Sequence, residues 1–252
     1  MSQNIYDNEV FFEGYKKIRE NPLSANEREE KPALYSLCPD LTGKAVLDLG
    51  CGYGEHCEEF LHRGATTVIG VDISEKMLSV ARTEHPNITY IRGDMSDLSF
   101  IDSRFDAVFS SLAVHYIEDF PKLVREVHGL LNDGGYFIFS QENPLTTSRK
   151  GGHEWARDED GNVLHLKLSD YARPGIRESR WFVDGVITYH RMFSDVVNAL
   201  ADAGFLIERM LEPVPTEEYI KAVPKAAKDY HKPNFLVVRA RKRGTTVVHS
   251  CT

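Results

Sequence analysis

The stretch that decides the fold is VLDLGCGYGEH, residues 46–56. An apolar run enters Gly50-Cys51-Gly52-Tyr53-Gly54, and a helical pattern starts directly behind it. Glycine tolerates positive φ and lets a ligand approach the main chain closely. Alone, such a loop would suit any nucleotide. A dinucleotide loop of the GxGxxG kind, counted from Gly50, needs its third glycine where this chain has Glu55, and a charged side chain opposes close helix–strand packing there. A P-loop is excluded because no GK[ST] follows.

Working outward, short apolar runs alternate with amphipathic stretches from Lys44 to Glu142, the pattern of βα units on a parallel sheet. The runs are AVLDLG (45–50), TVIGVD (67–72), ITYIRGD (88–94), FDAVFSS (105–111) and YFIFSQE (136–142). They are rich in Val, Ile and Phe, as strands buried on both faces are. Phe120, Leu123, Val124, Val127, Leu130 and Leu131 recur at helical spacing, with Asp133-Gly134-Gly135 as the expected stop. A helix with Cys57, Phe60 and Leu61 ends at Gly64, and Ser74 caps another that carries Met77, Val80 and Ala81.

Two acids follow the loop at the next two strand ends. Asp72 closes the second strand, where a carboxylate accepts the hydroxyls of a ribose. Gly93-Asp94-Met95 closes the third, placing an acid for the adenine amine and a polarizable side chain for the ring face. Glycine loop, acid and acid thus arrive in order at the carboxyl edge of the sheet, where open α/β folds bind ligands.

The flanks are less regular. Phe11, Tyr15 and Ile18 share one face of an N-terminal helix that Asn21-Pro22 ends. Residues 143–192 contain Gly151-Gly152, an acidic tract at 157–160 and the alternating WFVDGVITYHRMF, which reads as two strands around Asp184-Gly185. Ser194 is the expected cap of a helix with Val196, Val197 and Leu200, closed by Gly204, and strand-like runs follow at 205–211 and 234–240. The expectation is a single domain over 1–242, with a helical cap over 1–40, an insert over 143–192 and a tail over 243–252.

Composition narrows the functional classes. The chain has 252 residues, formal net charge −8 and 42% hydrophobic residues, which fits one α/β domain. The basic cluster Arg239, Arg241, Lys242 and Arg243 reads as a solvated end, and nucleic acid is not an expected partner. No apolar run is long enough to span a bilayer, and MSQNIYDNEV has no signal-peptide pattern, so a cytoplasmic, membrane-free protein is expected. Cys38, Cys51, Cys57 and Cys251 lack paired or zinc-type spacing and are expected as free thiols.

Taken together, VLDLGCGYG, VIGVD, IRGDM, FDAVFSSLAVHYIED and LLNDGGYFIFS resemble the successive motifs of class I S-adenosylmethionine-dependent methyltransferases, in the small-molecule branch with type 11 and ubiquinone-biosynthesis-like members. The resemblance is dense over about 40–143 and looser over 194–240. It implies a Rossmann-like, seven-stranded, mostly parallel sheet with helices on both faces, whose last strand, NFLVVRA, inserts antiparallel. It also implies S-adenosylmethionine as cofactor and S-adenosylhomocysteine as product. Carried over, Asp48, Gly50, Cys51 and Gly52 would surround the methionine part, with Tyr15 and Arg19 toward its carboxylate. Asp72 would hold the ribose, Ile73 and Met77 would line the adenine pocket, and Asp94 and Met95 would meet adenine. Ser111 and Leu112 would face the sulfur, and residues 143–192 would cover the acceptor.

Methyl transfer from a sulfonium is an in-line displacement that asks for alignment, exclusion of water and, for OH or NH acceptors, loss of a proton. A metal is not expected. His115, beside Tyr116 after the fourth strand, is the first candidate base and His190 the second. Tyr171, Trp181 and Tyr189 could wall a pocket for an aromatic or heterocyclic acceptor, or be the core of a small hairpin. The expected acceptor atom is O or N, with C less favoured; a monomer and a homodimer are equally compatible with the sequence. Two other functions stay open on the residues alone: a nicotinamide-dependent oxidoreductase and a non-catalytic cofactor-binding partner subunit.

Overall fold

A computed structural model describes residues 3–244. The expected tail lies outside the described residues from Thr245 onward, as does Cys251. In chain order, α1 (Glu9–Arg19) and α2 (Lys31–Ser36) precede a βα series. The series runs β1 (Ala45–Leu49), α3 (Glu55–His62), β2 (Thr67–Asp72), α4 (Glu75–Glu84), β3 (Thr89–Arg92), β4 (Phe105–Ser110), α5 (Phe120–Leu130) and β5 (Leu131–Glu142). Then come α6 (Pro144–Thr147), the hairpins β6 (Glu154–Arg157)–β7 (Val163–Lys167) and β8 (Gly175–Trp181)–β9 (Val183–His190), α7 (Phe193–Asp202), β10 (Phe205–Leu211), α8 (Glu217–Ala222) and β11 (Phe235–Lys242).

The main sheet has seven strands in the order β10-β11-β5-β4-β1-β2-β3. β1 to β5 pair in parallel, while β11 is antiparallel to both β5 and β10. This is the Rossmann-like architecture expected from the motifs. Alternation within each strand feeds two cores. Leu47, Leu49, Val108, Phe137, Phe139 and Val238 pack on the side of α5 and α7. Their neighbours Val46, Phe109, Ile138 and Val237 pack with Leu34, Cys57, Phe60 and Leu78 on the other. Burial on both faces explains the nearly unbroken apolar runs.

Four local expectations are corrected. α5 ends at Leu130, ahead of Asp133-Gly134-Gly135, because β5 already starts at Leu131 and bulges between its pairings Phe105↔Leu131 and Ala107↔Tyr136, with Gly134 at φ 79°. The insert hairpin turns at Phe182 (φ 61°), and Asp184-Gly185 lies inside β9. There it supplies the extra residue of a bulge between Ser179↔Val186 and Trp181↔Val183, with Gly185 at φ 76°, the left-handed conformation that such a bulge requires. Helix α7 is capped from Met192, whose N–H donates to Asp195 Oδ2 at 2.8 Å, so Ser194 sits within the first turn. Arg239, Arg241 and Lys242 belong to β11: the two arginines lie over the Tyr136 ring and beside Glu208, and Lys242 Nζ donates to His128 O and Leu131 O, so three of the four basic residues are tied into the sheet.

The hairpin β8–β9 leans on the N-terminal segment. Trp181 meets Phe11 edge-on with ring centroids 5.2 Å apart, and Phe182 lies over Gly14, where a Cβ would come within 2.5 Å of the ring. Gln3 completes the seam by donating to Gly185 O at 2.8 Å and accepting from Ile187 N at 3.0 Å.

Candidate active site

Two adjoining clefts open at the carboxyl ends of β1 to β4, of about 680 and about 400 Å³. They share Tyr15, Gly50, Gly52, Ser111 and Leu112. The larger is also lined by Asp72, Ile73, Met77, Asp94, Met95 and Tyr116, and the smaller by Arg19 and Cys51. Of the residues singled out in the sequence, Asp48, His115 and His190 do not line either cleft.

The glycines divide the labour of the loop. Gly50 (φ 76°) is pressed against Ala113, whose Cβ a new Cβ would approach to 2.4 Å. Gly52 (φ 53°) would meet nothing within 4 Å, leaving its face to the cleft. Its N–H donates to Asp72 Oδ2 at 2.9 Å, and Asp72 Oδ1 accepts from Ser74 N at 2.8 Å. Burial pushes the Asp72 carboxyl up to about 6, against the pull of those backbone donors. Asp94 Oδ1 accepts from Ser96 N at 2.9 Å. Ser74 caps α4 through Met77 N (3.1 Å), which brings Met77 to the cleft wall.

Behind the loop, Asp48 is 1% exposed, and its Oδ2 accepts from Cys57 Sγ at 3.3 Å. Burial pushes it up to about 7. Cys38, Cys51 and Cys57 are free thiols.

At the tip of β4, Leu112 adopts φ 50° and is held by its N–H, which reaches Ser140 Oγ at 2.9 Å and Ser140 O at 3.2 Å. Positive φ in a branched residue is costly and persists only where surroundings enforce it. His115, on the next turn, points inward: burial lowers its pKa to about 3, and Glu142 N reaches its Nδ1 at 3.4 Å. His190 is 1% exposed, with Nδ1 on Thr147 Oγ1 at 2.8 Å and Nε2 on Tyr171 O at 2.9 Å. Both ring nitrogens are therefore engaged in the insert.

Three contributors were not legible. Gln3 and Tyr6 line the larger cleft from the N-terminal segment, and the Tyr6 hydroxyl donates to Tyr116 Oη at 3.2 Å. The segment is fixed by Asp7, whose Oδ1 accepts from Ser74 Oγ at 2.6 Å and Lys76 N at 3.2 Å. Glu30 lies behind Ser111. In the sequence NEREEK it looks like part of a solvated face, and only tertiary packing buries it. No residue of 143–192 lines the larger cleft. Tyr171, Trp181 and Tyr189 do not form one pocket: Trp181 packs on Phe11 and Tyr15, Tyr171 accepts from Phe193 N at 3.1 Å, and Tyr189 lines a separate groove.

Comparison with known proteins agrees with this geometry. Residues 47–139 match the family described as a methyltransferase domain. A crystal structure of an S-adenosylmethionine-dependent methyltransferase from Mesorhizobium loti is 38% identical, with TM-score 0.79, covering 89% of this chain and all of that one. An uncharacterized Haemophilus influenzae protein is 40% identical over 95% of this chain and 97% of its own length. A malonyl-[acyl-carrier protein] O-methyltransferase from Pectobacterium atrosepticum is 32% identical over 50% of this chain, and the match spans 47% of that relative. The chain belongs to the S-adenosylmethionine-dependent methyltransferases. Within them it is a class I enzyme of the small-molecule type, with S-adenosylmethionine as its cofactor. The residues fit that group: an open glycine face, the buried carboxyl of Asp72, and Met77 and Met95 as apolar walls.

Proposed function

We propose that this enzyme transfers a methyl group by in-line displacement to a nitrogen or oxygen of a small molecule, nitrogen being favoured. When bound, the cofactor supplies a methyl group on a cationic sulfur that departs as a neutral thioether. Asp72 and Asp94 would hold its ribose and adenine, Met77 and Ile73 would flank the adenine, and the Gly50–Gly52 loop with Arg19 would meet the amino-acid end. The N-terminal segment, through Gln3, Tyr6 and Tyr15, would exclude water from the reacting atoms.

The observation that carries the choice of acceptor is that no histidine or lysine lines the larger cleft, while its two carboxylates, Asp72 and Asp94, are taken up by the nucleoside in this reading. Tyr6, Tyr15 and Tyr116 line it, and burial raises all three phenols, so at neutral pH they donate hydrogen bonds and do not take protons. An acceptor that arrives with a free lone pair, such as a neutral amine or ring nitrogen, needs no base before attack. Tyr6 and Tyr116 would orient it, and their faces suit an aromatic or heterocyclic ring. The insert's part would be indirect, bracing the N-terminal segment through Gln3 and Trp181.

A carboxylate acceptor is the second reading, favoured by similarity to a fatty-acid O-methyltransferase from Mycolicibacterium smegmatis, 33% identical over 47% of this chain and 43% of that one. No Lys, Arg or His lines the larger cleft to receive such an anion, while Asp72 and Asp94 do line it. The test is transfer of label from methyl-labelled cofactor to a panel of ring amines, phenols, alcohols and carboxylic acids. Label in the amines supports the preference for nitrogen; label in the acids alone overturns that preference and favours the second reading.

A further inference from the structure

Glu30 is a buried carboxyl group that the mechanism above leaves unused. It ends the one-turn segment Asn26–Glu30 just before α2 and is 1% exposed. Its Oε1 accepts hydrogen bonds from Ser111 Oγ at 2.9 Å and from Ser140 Oγ. A buried carboxylate ordinarily has a cation in contact, because hydroxyl donors alone do not offset the lost hydration. Among the described residues, no ion pair reaches Glu30. The cations of its neighbourhood, Arg19 and Lys31, are turned to Glu27 and Glu55 instead.

The missing cation has a place to come from. Ser111 lines both clefts, at the junction they share with Tyr15, Gly50, Gly52 and Leu112. A cofactor with its nucleoside against Asp72 and Asp94, and its amino-acid end toward Arg19, crosses that junction at its sulfur. We propose that Glu30, acting through Ser111, is the counter-charge of the cofactor's cationic sulfur and sets the enzyme's preference for S-adenosylmethionine over its neutral thioether product. The idea rests on the cofactor assignment. Glu30 is a positioning residue in this account; methyl transfer removes the charge it faces, which loosens the product.

Burial raises the pKa of Glu30, opposed by the Ser140 and Ser111 hydroxyls and by Arg19 and Lys31. Asp48, Tyr15 and Tyr35 also face it. As pH falls through this raised value, Glu30 takes up a proton and the counter-charge disappears. Binding of the cationic ligand should weaken, and binding of the thioether should follow it less.

Calorimetry on the full chain tests this with S-adenosylmethionine, the amine analogue sinefungin and S-adenosylhomocysteine. Glu30→Gln keeps an oxygen to accept both serine hydroxyls but no charge. It should weaken the two cationic ligands about tenfold and leave the thioether within about twofold, the scale of one screened charge at close range. Equal weakening of all three, or none, overturns the proposal. Should the variant not fold, Ser111→Ala decides: without the hydroxyl that links Glu30 to the cleft, the two cationic ligands should weaken more than the thioether, and equal weakening or none overturns the proposal. Wild-type protein that binds none of the three overturns the cofactor assignment instead.

Discussion

Gly52 donates its backbone N–H to Asp72 Oδ2 at 2.9 Å, joining the loop after β1 to the acid that ends β2. The carboxylate is fixed by main-chain donors before any ligand arrives. Its remaining lone pairs point the site at hydroxyl donors, which is what a ribose offers.

Asp72→Ala should therefore weaken S-adenosylhomocysteine binding by at least about tenfold, the cost of a hydrogen bond to a charged group. Calorimetry checks it. Unchanged affinity would remove Asp72 from the ribose contact.

Gly50→Ala and Gly52→Ala should separate folding from binding. At Gly50 a methyl group would collide with Ala113 Cβ at 2.4 Å and Met95 Cε at 3.0 Å, so Tm should drop by several degrees. At Gly52 it would meet no protein atom within 4 Å, so the cost is the positive φ alone, about 1 kcal/mol, while the methyl group projects into the ligand's space. Thermal melts paired with ligand titration should show the first variant unstable and the second folded but deaf to S-adenosylhomocysteine. The reverse order would refute the division of roles.

His115 should stay neutral down to about pH 5, and His190 should titrate below the ordinary imidazole range. Burial pulls His115 down to about 3 and lowers His190 as well. Imidazole chemical shifts followed by NMR across pH 4–8 give the answer directly; a histidine at either position titrating near 6.5 would return it to the list of candidate bases.

Asp48→Asn should change stability in a pH-dependent way. Burial raises Asp48 from 3.8 to about 7, so the folded chain holds that proton more tightly than the unfolded one. Its stabilising contribution is complete below about pH 4 and is lost as pH rises through about 7. Asn does not titrate, so the Tm of the variant relative to wild type should climb from pH 4 to pH 8. A pH-independent difference would contradict the raised value.

What the sequence disclosed and what it hid follow from range. The strands β1, β2, β4 and β5 were legible because burial leaves nearly continuous apolar runs, while β3, a half-buried edge strand, shows only the short run ITYI; Asp72 and Asp94 were legible because they follow such runs. The position of His115 after β4 was equally legible, but the direction of its side chain depends on Glu142 and Arg191, far away in the chain. Asp184-Gly185 carries the composition of a turn and also of a bulge, and only the pairing of β8 with β9 chooses between them. Glu30 and Tyr6 owe their places to packing of the N-terminal segment over the sheet edge, for which periodicity holds no signal.

The most direct test of the central claim is calorimetric titration of the purified wild-type chain with S-adenosylhomocysteine and, separately, with NADH. One-to-one binding of the thioether nucleoside and no binding of NADH is the expected result. Binding of NADH with indifference to S-adenosylhomocysteine would contradict the account.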